Sequence, residues 1–432
     1  MNKFILTLIG LIFLNNCSLN ENSKIWKNKE NKLEKNKNIS KFSPEKTKVV
    51  KVFNENVKLN ITEIKGRSKI IDNQNNYGSQ LYKGELIKKA KYKFSKFDET
   101  NKLDHKPIFL KDGIIFFNNK GSIIKYDENQ KVIWKKNHYS KAEKKLNPKL
   151  NFLIDGQNLL ITDNIAKYYS VKIDTGEINW SKNNIYPFNS NIKKFKDKMF
   201  VVDYKNTLRC FSIIDGNECW SLQTDDSFTI SNNKYSIITV DNNVIFSNSI
   251  GDITAVDVNT GLITWQLPTQ SNTIINETYN FKNSSLVSDG NSIFFSNSKN
   301  EFYSIDAKTG GINWINGINS IIKPILIGDL IFSVSNKGYL FVIEKNKGNI
   351  IRITDLFINY KDKKRNNVIP VGFVIGNNNL YLTNSDGMMI VSELELGNVI
   401  KKEKVSGGLL SEPFIFNENL YIVRNGSIIQ YN

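Results

Sequence analysis

Five aspartates, Asp127, Asp174, Asp215, Asp257 and Asp306, recur along the chain, and each is followed within a few residues by a tryptophan: Trp134, Trp180, Trp220, Trp265 and Trp314. Repeated carboxylates invite a catalytic reading as general acids or bases, and a set of indoles invites a stack around a planar cofactor. Their setting argues for architecture instead. Four of the aspartates stand just ahead of a glycine, where a carboxylate accepts hydrogen bonds from backbone N–H groups of its own turn. The glycine supplies the positive φ that a tight turn needs, and the tryptophan is an apolar mass to pack on a neighbouring sheet. Only two histidines exist, His105 and His138, and neither sits in a metal or triad motif. HExxH, GxSxG, Walker A and GxGxxG patterns do not occur.

The elements that carry these residues repeat. Ile305–Trp314 and Val256–Trp265 share one form, Asp-x-x-Thr-Gly-x-x-x-Trp. Ile173–Trp180 reads as the same motif two residues shorter, Ile214–Trp220 as shorter again, and Tyr126–Trp134 as the motif without its glycine. Two later copies put Arg352 and Lys401 where the tryptophan stands elsewhere. Successive slots are 38 to 49 residues apart. Within each period, short apolar runs alternate with Gly, Asn and Asp turns, as in Pro107–Leu110, Ile114–Phe117, Ser122–Tyr126 and Lys131–Lys135. Four strands in 40–50 residues describe a β-propeller blade. Seven motifs are followed by three more strands, Glu412–Phe416, Asn419–Val423 and Ser427–Tyr431. A strand at Leu86–Phe94 then completes an eighth blade and closes the ring, which removes exposed sheet edges. The expected fold is therefore all-β, a single eight-bladed propeller over residues 86–432, with seven blades as the alternative.

Of the three cysteines, Cys210 and Cys219 flank the Asp215-Gly216 turn. A two-residue loop would set Phe211 opposite Trp220 and Ser212 opposite Cys219, leaving the two cysteines diagonal. A disulfide and two small buried thiols both stay open. The formal charge is +17, and residues 18–69 supply +8 of it, with 14 Lys/Arg against 6 Asp/Glu. The remaining basic residues are not gathered on one element with interleaved aromatics, which argues against nucleic acid as a partner. Residues 17–85 read as a Lys/Asn-rich tether. Inside it Val57–Ile61 alternates in strand fashion and could add to a sheet edge, although isolated apolar residues in a linker are the simpler reading.

Met1-Asn2-Lys3 followed by the apolar run Phe4–Leu14 reads as a signal peptide over residues 1–16. Leu14-Asn15-Asn16-Cys17 resembles the bacterial lipoprotein signal, which implies lipidation of Cys17; Ser18 in place of Asp implies sorting to the outer membrane.

The blade ending resembles the repeat of pyrroloquinoline-quinone-type propellers. The dehydrogenases among these carry an adjacent Cys-Cys pair, calcium-binding acids and a longer chain, and this sequence has no Cys-Cys pair. With a lipoprotein signal and a tether ahead of it, the propeller is similar to the BamB family of outer-membrane assembly lipoproteins. That resemblance implies a non-enzymatic scaffold without a cofactor. It would be lipid-anchored on the periplasmic face of the outer membrane and bind the periplasmic domains of the barrel-forming subunit. The family's contact loops correspond to about Thr224–Lys234 and Gln270–Asn283. Phe228 and Ile230 are the apolar pair in the first; Asn280 and Lys282 stand where the family has an Asp pair. A quinone-dependent dehydrogenase and a glycan-binding propeller are the competing readings.

Overall fold

Runs such as Ile123–Asp127 and Phe302–Asp306 are rich in β-branched and aromatic residues, too short for helices, and bounded by residues that accept positive φ. They fold as strands. The computed structural model describes residues 51–60, 78–82, 84–98, 103–225, 233–269 and 281–432, and it is an all-β, eight-bladed propeller. Each blade is built on a four-stranded antiparallel sheet, and in blades 1 to 7 those four strands run from the axis outward in chain order.

Blade 1 is Ile108–Leu110, Gly113–Phe117, Ile123–Asp127 and Val132–Lys136; blade 2 is Leu150–Asp155, Asn158–Asp163, Lys167–Lys172 and Ile178–Asn183. Blade 3 is Lys193–Phe195, Lys198–Val202, Thr207–Ser212 and Glu218–Gln223; blade 4 is Ile237–Val240, Asn243–Ser247, Ile253–Asp257 and Ile263–Leu267. Blade 5 is Val287–Ser288, Ser292–Ser296, Phe302–Asp306 and Ile312–Asn316; blade 6 is Ile325–Ile327, Leu330–Val334, Tyr339–Glu344 and Ile350–Asp355. Blade 7 is Pro370–Gly376, Asn379–Asn384, Met388–Glu393 and Val399–Lys404. Blade 8 has Leu410–Phe416, Asn419–Arg424 and Ser427–Tyr431 inside. Its outer strand is Lys88–Lys93, paired antiparallel with Ser427–Tyr431 as the sequence predicts.

The second and third strands of each blade carry the core. Gly113–Phe117 is buried at every position, because blades pack on both of its faces. Outer strands such as Ile263–Leu267 and Val132–Lys136 bury chiefly their tryptophan. A β-bulge recurs at the start of the outer strand in blades 1 to 7, between Ala255 and Val256 of the partner strand in blade 4 for example.

The segment expected to be a tether is partly docked. Phe53 exchanges two backbone hydrogen bonds with Ile353, of 3.1 and 3.0 Å, on the outer edge of blade 6. The Leu59 N–H donates to Glu395 O at 3.0 Å, and its side chain is buried among residues of blades 6 and 7. Edge addition is thus real at Phe53; of Val57–Ile61, Leu59 docks through its N–H and side chain, and Ile61 lies outside the described residues. Further along, Ser79–Gln80 adds a fifth strand to blade 7, parallel to Pro370–Gly376 at its inner edge. Tyr82 beyond it is buried against Tyr381, with ring centroids 5.1 Å apart.

Candidate functional site

The repeated motif builds one inter-blade latch. Gly176, Gly216, Gly261, Gly310 and Gly348 hold φ between 70° and 74°, and a methyl group on any of them would lie 2.5 to 2.8 Å from the indole of the preceding blade. That indole donates through Nε1 to the carbonyl three residues before the glycine. The distances are 3.0 Å for Trp134 to Ile173, 3.0 Å for Trp180 to Ile213, 3.2 Å for Trp220 to Val258, 3.1 Å for Trp265 to Ala307 and 3.0 Å for Trp314 to Lys345. Each tryptophan therefore seals the next blade by shape and by one bond that satisfies a turn carbonyl.

The constant frame is Gly-x-x-x-Trp, and the turns at Gly176 and Gly216 are not shortened. Their backbone bonds, Gly176 N–H to Lys172 O at 2.8 Å and Gly216 N–H to Ser212 O at 2.9 Å, match Gly261 N–H to Asp257 O at 3.0 Å. The aspartates occupy different places in this frame. Asp257 accepts from Asn259 N, Thr260 N and Thr260 Oγ1 at 2.8 to 3.0 Å; Asp306 accepts from Lys308 N, Thr309 N and Thr309 Oγ1 at 2.7 to 3.0 Å. These bonds hold both carboxyls below the usual carboxylate range, led by the Thr260 N–H for Asp257 and the Thr309 hydroxyl for Asp306. Asp215 caps Asn217 N at 3.1 Å and is lowered by it. Asp127 accepts from Lys131 N at 2.8 Å in a tighter turn where Gln130, at φ 66°, takes the glycine's place. Asp174 departs from the expected turn role: it faces Lys125 of blade 1 at 3.9 Å, while Thr175 accepts from Glu177 N. The five carboxylates lie on five different blades, and no two share a site.

Arg352 occupies the slot in blade 6. Its guanidinium donates to Leu394 O at 2.7 Å, Glu395 O at 2.6 Å and Val57 O at 3.0 Å. The side chain is fully buried, and burial lowers its pKa to about 10. A cation has replaced the indole and does its hydrogen bonding several times over. Lys401 in blade 7 is exposed and pairs with Glu403 at 3.5 Å.

The cysteine register differs from expectation. The bulge sets Cys210 opposite Trp220 and Phe211 opposite Glu218, and Cys219 is the extra residue. Both cysteines are free thiols, Cys210 buried and Cys219 exposed, within hydrogen-bonding reach of each other; burial pushes the Cys210 thiol up. His105 is buried between Phe97 and Phe117, with centroids at 4.4 and 5.1 Å. His138 donates from Nε2 to Gly176 O at 3.0 Å.

The axis holds a cavity of about 360 Å³ that the sequence did not announce. Its charged lining is Asp104, Lys106, Lys193, Lys234, Lys323 and Glu412. Each comes from an inner strand or the residues leading into one, in blades 1, 3, 4, 6 and 8. Lys106 and Glu412 pair at 2.8 Å across the junction of blades 1 and 8. Lys234 donates to Asp104 O at 3.0 Å and Asn151 Oδ1 at 2.8 Å. Lys193 is buried, and burial followed by the charge of Lys106 lowers its ammonium to about 7. Lys323 lies in the wall with part of its surface open; burial, Lys106 and Lys193 together lower it well below the usual lysine range. A local signal existed, a lysine two or three residues ahead of the inner apolar run, as in Lys106-Pro107-Ile108 and Lys323-Pro324-Ile325.

A family model described as outer membrane protein assembly factor BamB matches residues 119–354, more than half of the chain. The chain belongs to the BamB family. BamB from Moraxella catarrhalis superposes with a TM-score of 0.65 at 15% identity, over 80% of this chain and 100% of that one. The computationally designed Ika8 protein gives 0.59 at 10% identity, over 79% and 100%. A quinohemoprotein alcohol dehydrogenase, ADHIIG from Pseudomonas putida HK5, gives 0.56 at 10% identity, over 79% and 76%. These likenesses are to the fold. No curated protein matches the sequence. The residues that the BamB resemblance singles out, Cys17, Phe228, Ile230 and Asn280, lie outside the described residues. Lys282 is described, and its N–H donates to Ser298 Oγ at 3.1 Å.

Proposed function

We propose that the chain is a non-catalytic scaffold lipoprotein of the outer-membrane β-barrel assembly machinery. A lipid on Cys17, exposed after removal of residues 1–16, anchors it to the periplasmic face of the outer membrane. The propeller binds the periplasmic domains of the barrel-forming subunit and so aids insertion of outer-membrane proteins. The loops after blades 3 and 4 make the contact, with Phe228 and Ile230 as apolar anchors. The observation that supports this reading is the match to the BamB family over residues 119–354. It is joined by the use of the repeated aspartates and tryptophans in turns and latches rather than in one shared site.

Co-purification from detergent-solubilised membranes tests it. The tagged full-length chain is expected to recover the barrel-forming subunit. Phe228→Asp with Ile230→Asp is expected to lose that partner without a change in Tm, and Cys17→Ser to move the protein out of the membrane fraction. Recovery of the wild-type chain from membranes without any barrel-assembly subunit would sink the proposal.

A further inference from the structure

The bulge that opens each outer strand in blades 1 to 7 puts one extra residue beside the latch residue, so that both face a single residue of the neighbouring strand. In blade 2 the extra residue is Asn179. It shares Ser170 with Trp180, and its Nδ2 donates to Ser170 Oγ at 3.1 Å. Blade 5 repeats the arrangement, with Asn313 Nδ2 donating to Ser304 Oγ at 3.2 Å. The bulge therefore brings these two side chains into direct contact across the strand pair. In blade 3 the same two positions hold Cys219 and Cys210. Cys210 is buried, as Ser170 and Ser304 are, and Cys219 is exposed, as Asn179 and Asn313 are. The diagonal offset that a two-residue hairpin would give this pair is gone. A disulfide spans Cβ atoms about 3.5–4.5 Å apart, a separation suited to side chains that already meet across one strand pair.

We propose that Cys210 and Cys219 are a redox pair that closes to a disulfide by exchange with an external disulfide, a small molecule's or a protein's. Cys219, the exposed sulfur, attacks as the thiolate and forms a mixed disulfide, releasing one external thiol. Cys210 then attacks the Cys219 sulfur and releases the second. Two protein thiols are oxidised, the external disulfide is reduced to two thiols, and the two cysteine protons end on those thiols. Burial pushes the Cys210 thiol up, which leaves the first attack to its exposed partner. Closure fixes the bulge that aims Trp220 at Val258 O of blade 4. The pair depends neither on the lipid anchor nor on the loops proposed to engage a protein partner.

Oxidised glutathione, added without denaturant to the reduced full chain carrying Cys17→Ser, tests the proposal. The reaction is quenched with a maleimide in denaturant and followed by mass spectrometry. Both thiols should be lost together, leaving a monomer lighter by two hydrogen atoms and free of glutathione. Cleavage after Arg209, Glu218 and Lys234 should then yield the two cysteine peptides joined, and dithiothreitol should separate them. Cys210→Ser should instead hold one glutathione on Cys219, because no second thiol remains to displace it. Cys219→Ser should leave Cys210 unreacted in the folded chain. If either variant fails to fold, the product formed by the Cys17→Ser chain decides alone. Glutathione retained on Cys219 with Cys210 still a thiol would overturn the pairing, as would a dimer linked through Cys219 or a chain that keeps both thiols.

Discussion

Replacing Gly310 by Ala tests whether the glycine–tryptophan latch holds adjacent blades together. Two costs arise at this residue. The backbone sits at φ 72°, where a side chain costs about 1–2 kcal/mol. The added Cβ would also lie 2.6 Å from Trp265 Cε3 and 2.7 Å from Cδ2, well inside the usual carbon contact of roughly 3.5–4.0 Å. The ring must withdraw by about 1 Å, overpacking its pocket at about 1–3 kcal/mol. The retreat stretches its 3.1 Å bond to Ala307 O, a further loss of about 0.5–1.5 kcal/mol. The expected total is about 3–6 kcal/mol. Gly156 is the control: its φ is 57° and nothing lies within 4 Å of an added Cβ, so Gly156→Ala carries the backbone term alone, about 1–2 kcal/mol. Urea unfolding followed by circular dichroism measures both. In a Trp265→Ala background, Gly310→Ala should cost no more than Gly156→Ala, because the clash has gone. If Gly310→Ala matches Gly156→Ala in the wild type, or costs as much with Trp265 removed as with it present, the latch argument is wrong.

Arg352→Ala takes the guanidinium donors from Leu394 O and Val57 O and leaves Glu395 O with the Leu59 N–H alone, which should cost about 3–5 kcal/mol. Arg352→Trp should recover most of that by restoring the slot, yet expose Lys51 and Lys58 to trypsin, because an indole has no donor left for Val57 O. Lys193, lowered to about 7, gives stability that rises with pH: between about pH 7 and its unfolded value the unfolded chain binds the extra proton. The gain from pH 7 to 9 should be roughly 2 kcal/mol from this group, and Lys193→Met should flatten the wild-type slope by that amount in urea titrations. With Cys17 replaced by Ser, a thiol reagent should modify one cysteine, Cys219, in the native protein and reach Cys210 only after unfolding.

The blade count and the closing strand were legible because they rest on local signals: turn residues at fixed offsets, apolar alternation, and a chain that ends one strand short. The latch was half legible. Its tryptophans are plain in the sequence, but the anchor of the frame is the glycine and not the aspartate that draws the eye. An indole needs an uncovered Cα beneath it, and a turn can find its capping oxygen at Asp257, Asp215 or Thr175 alike. The cavity was not legible as a group. Lys106, Lys193, Lys234 and Lys323 are separated by whole blades, and only the radial arrangement brings them to one place. The cysteine register failed for a different reason: the turn holds four residues, Ile213 to Gly216, instead of two, as the Ser212 N–H bond to Asn217 O shows, and a bulge then moves the pairings beyond it by one residue.

A propeller closed by its two ends is weakest where the chain is discontinuous, here inside blade 8 at the junction of Ser427–Tyr431 with Lys88–Lys93, the strand that leads on into blade 1. The structure reinforces that junction from several sides. Tyr126 Oη donates to Lys93 O at 2.5 Å, and Asn425 brackets Phe97 with bonds of 2.8 and 2.9 Å. Phe109 stacks on Phe416 at 5.2 Å, and Lys106 meets Glu412 at 2.8 Å. The run that supplies the closing strand is itself tied down earlier: at blade 6 by Phe53, at the blade 6–7 junction by Leu59, and at the inner edge of blade 7 by Ser79–Gln80. The exception in the repeat makes this docking possible. Tryptophan has one donor, which the turn carbonyl of the next blade consumes. Arginine has five, so Arg352 satisfies Leu394 O and still binds Val57 O. Loss of the indole at blade 6 is therefore not a weakening of the repeat. It exchanges some apolar contact for a second anchor point, so that pulling on the N-terminal segment loads blades 6 and 7 before it reaches the strand that closes the ring.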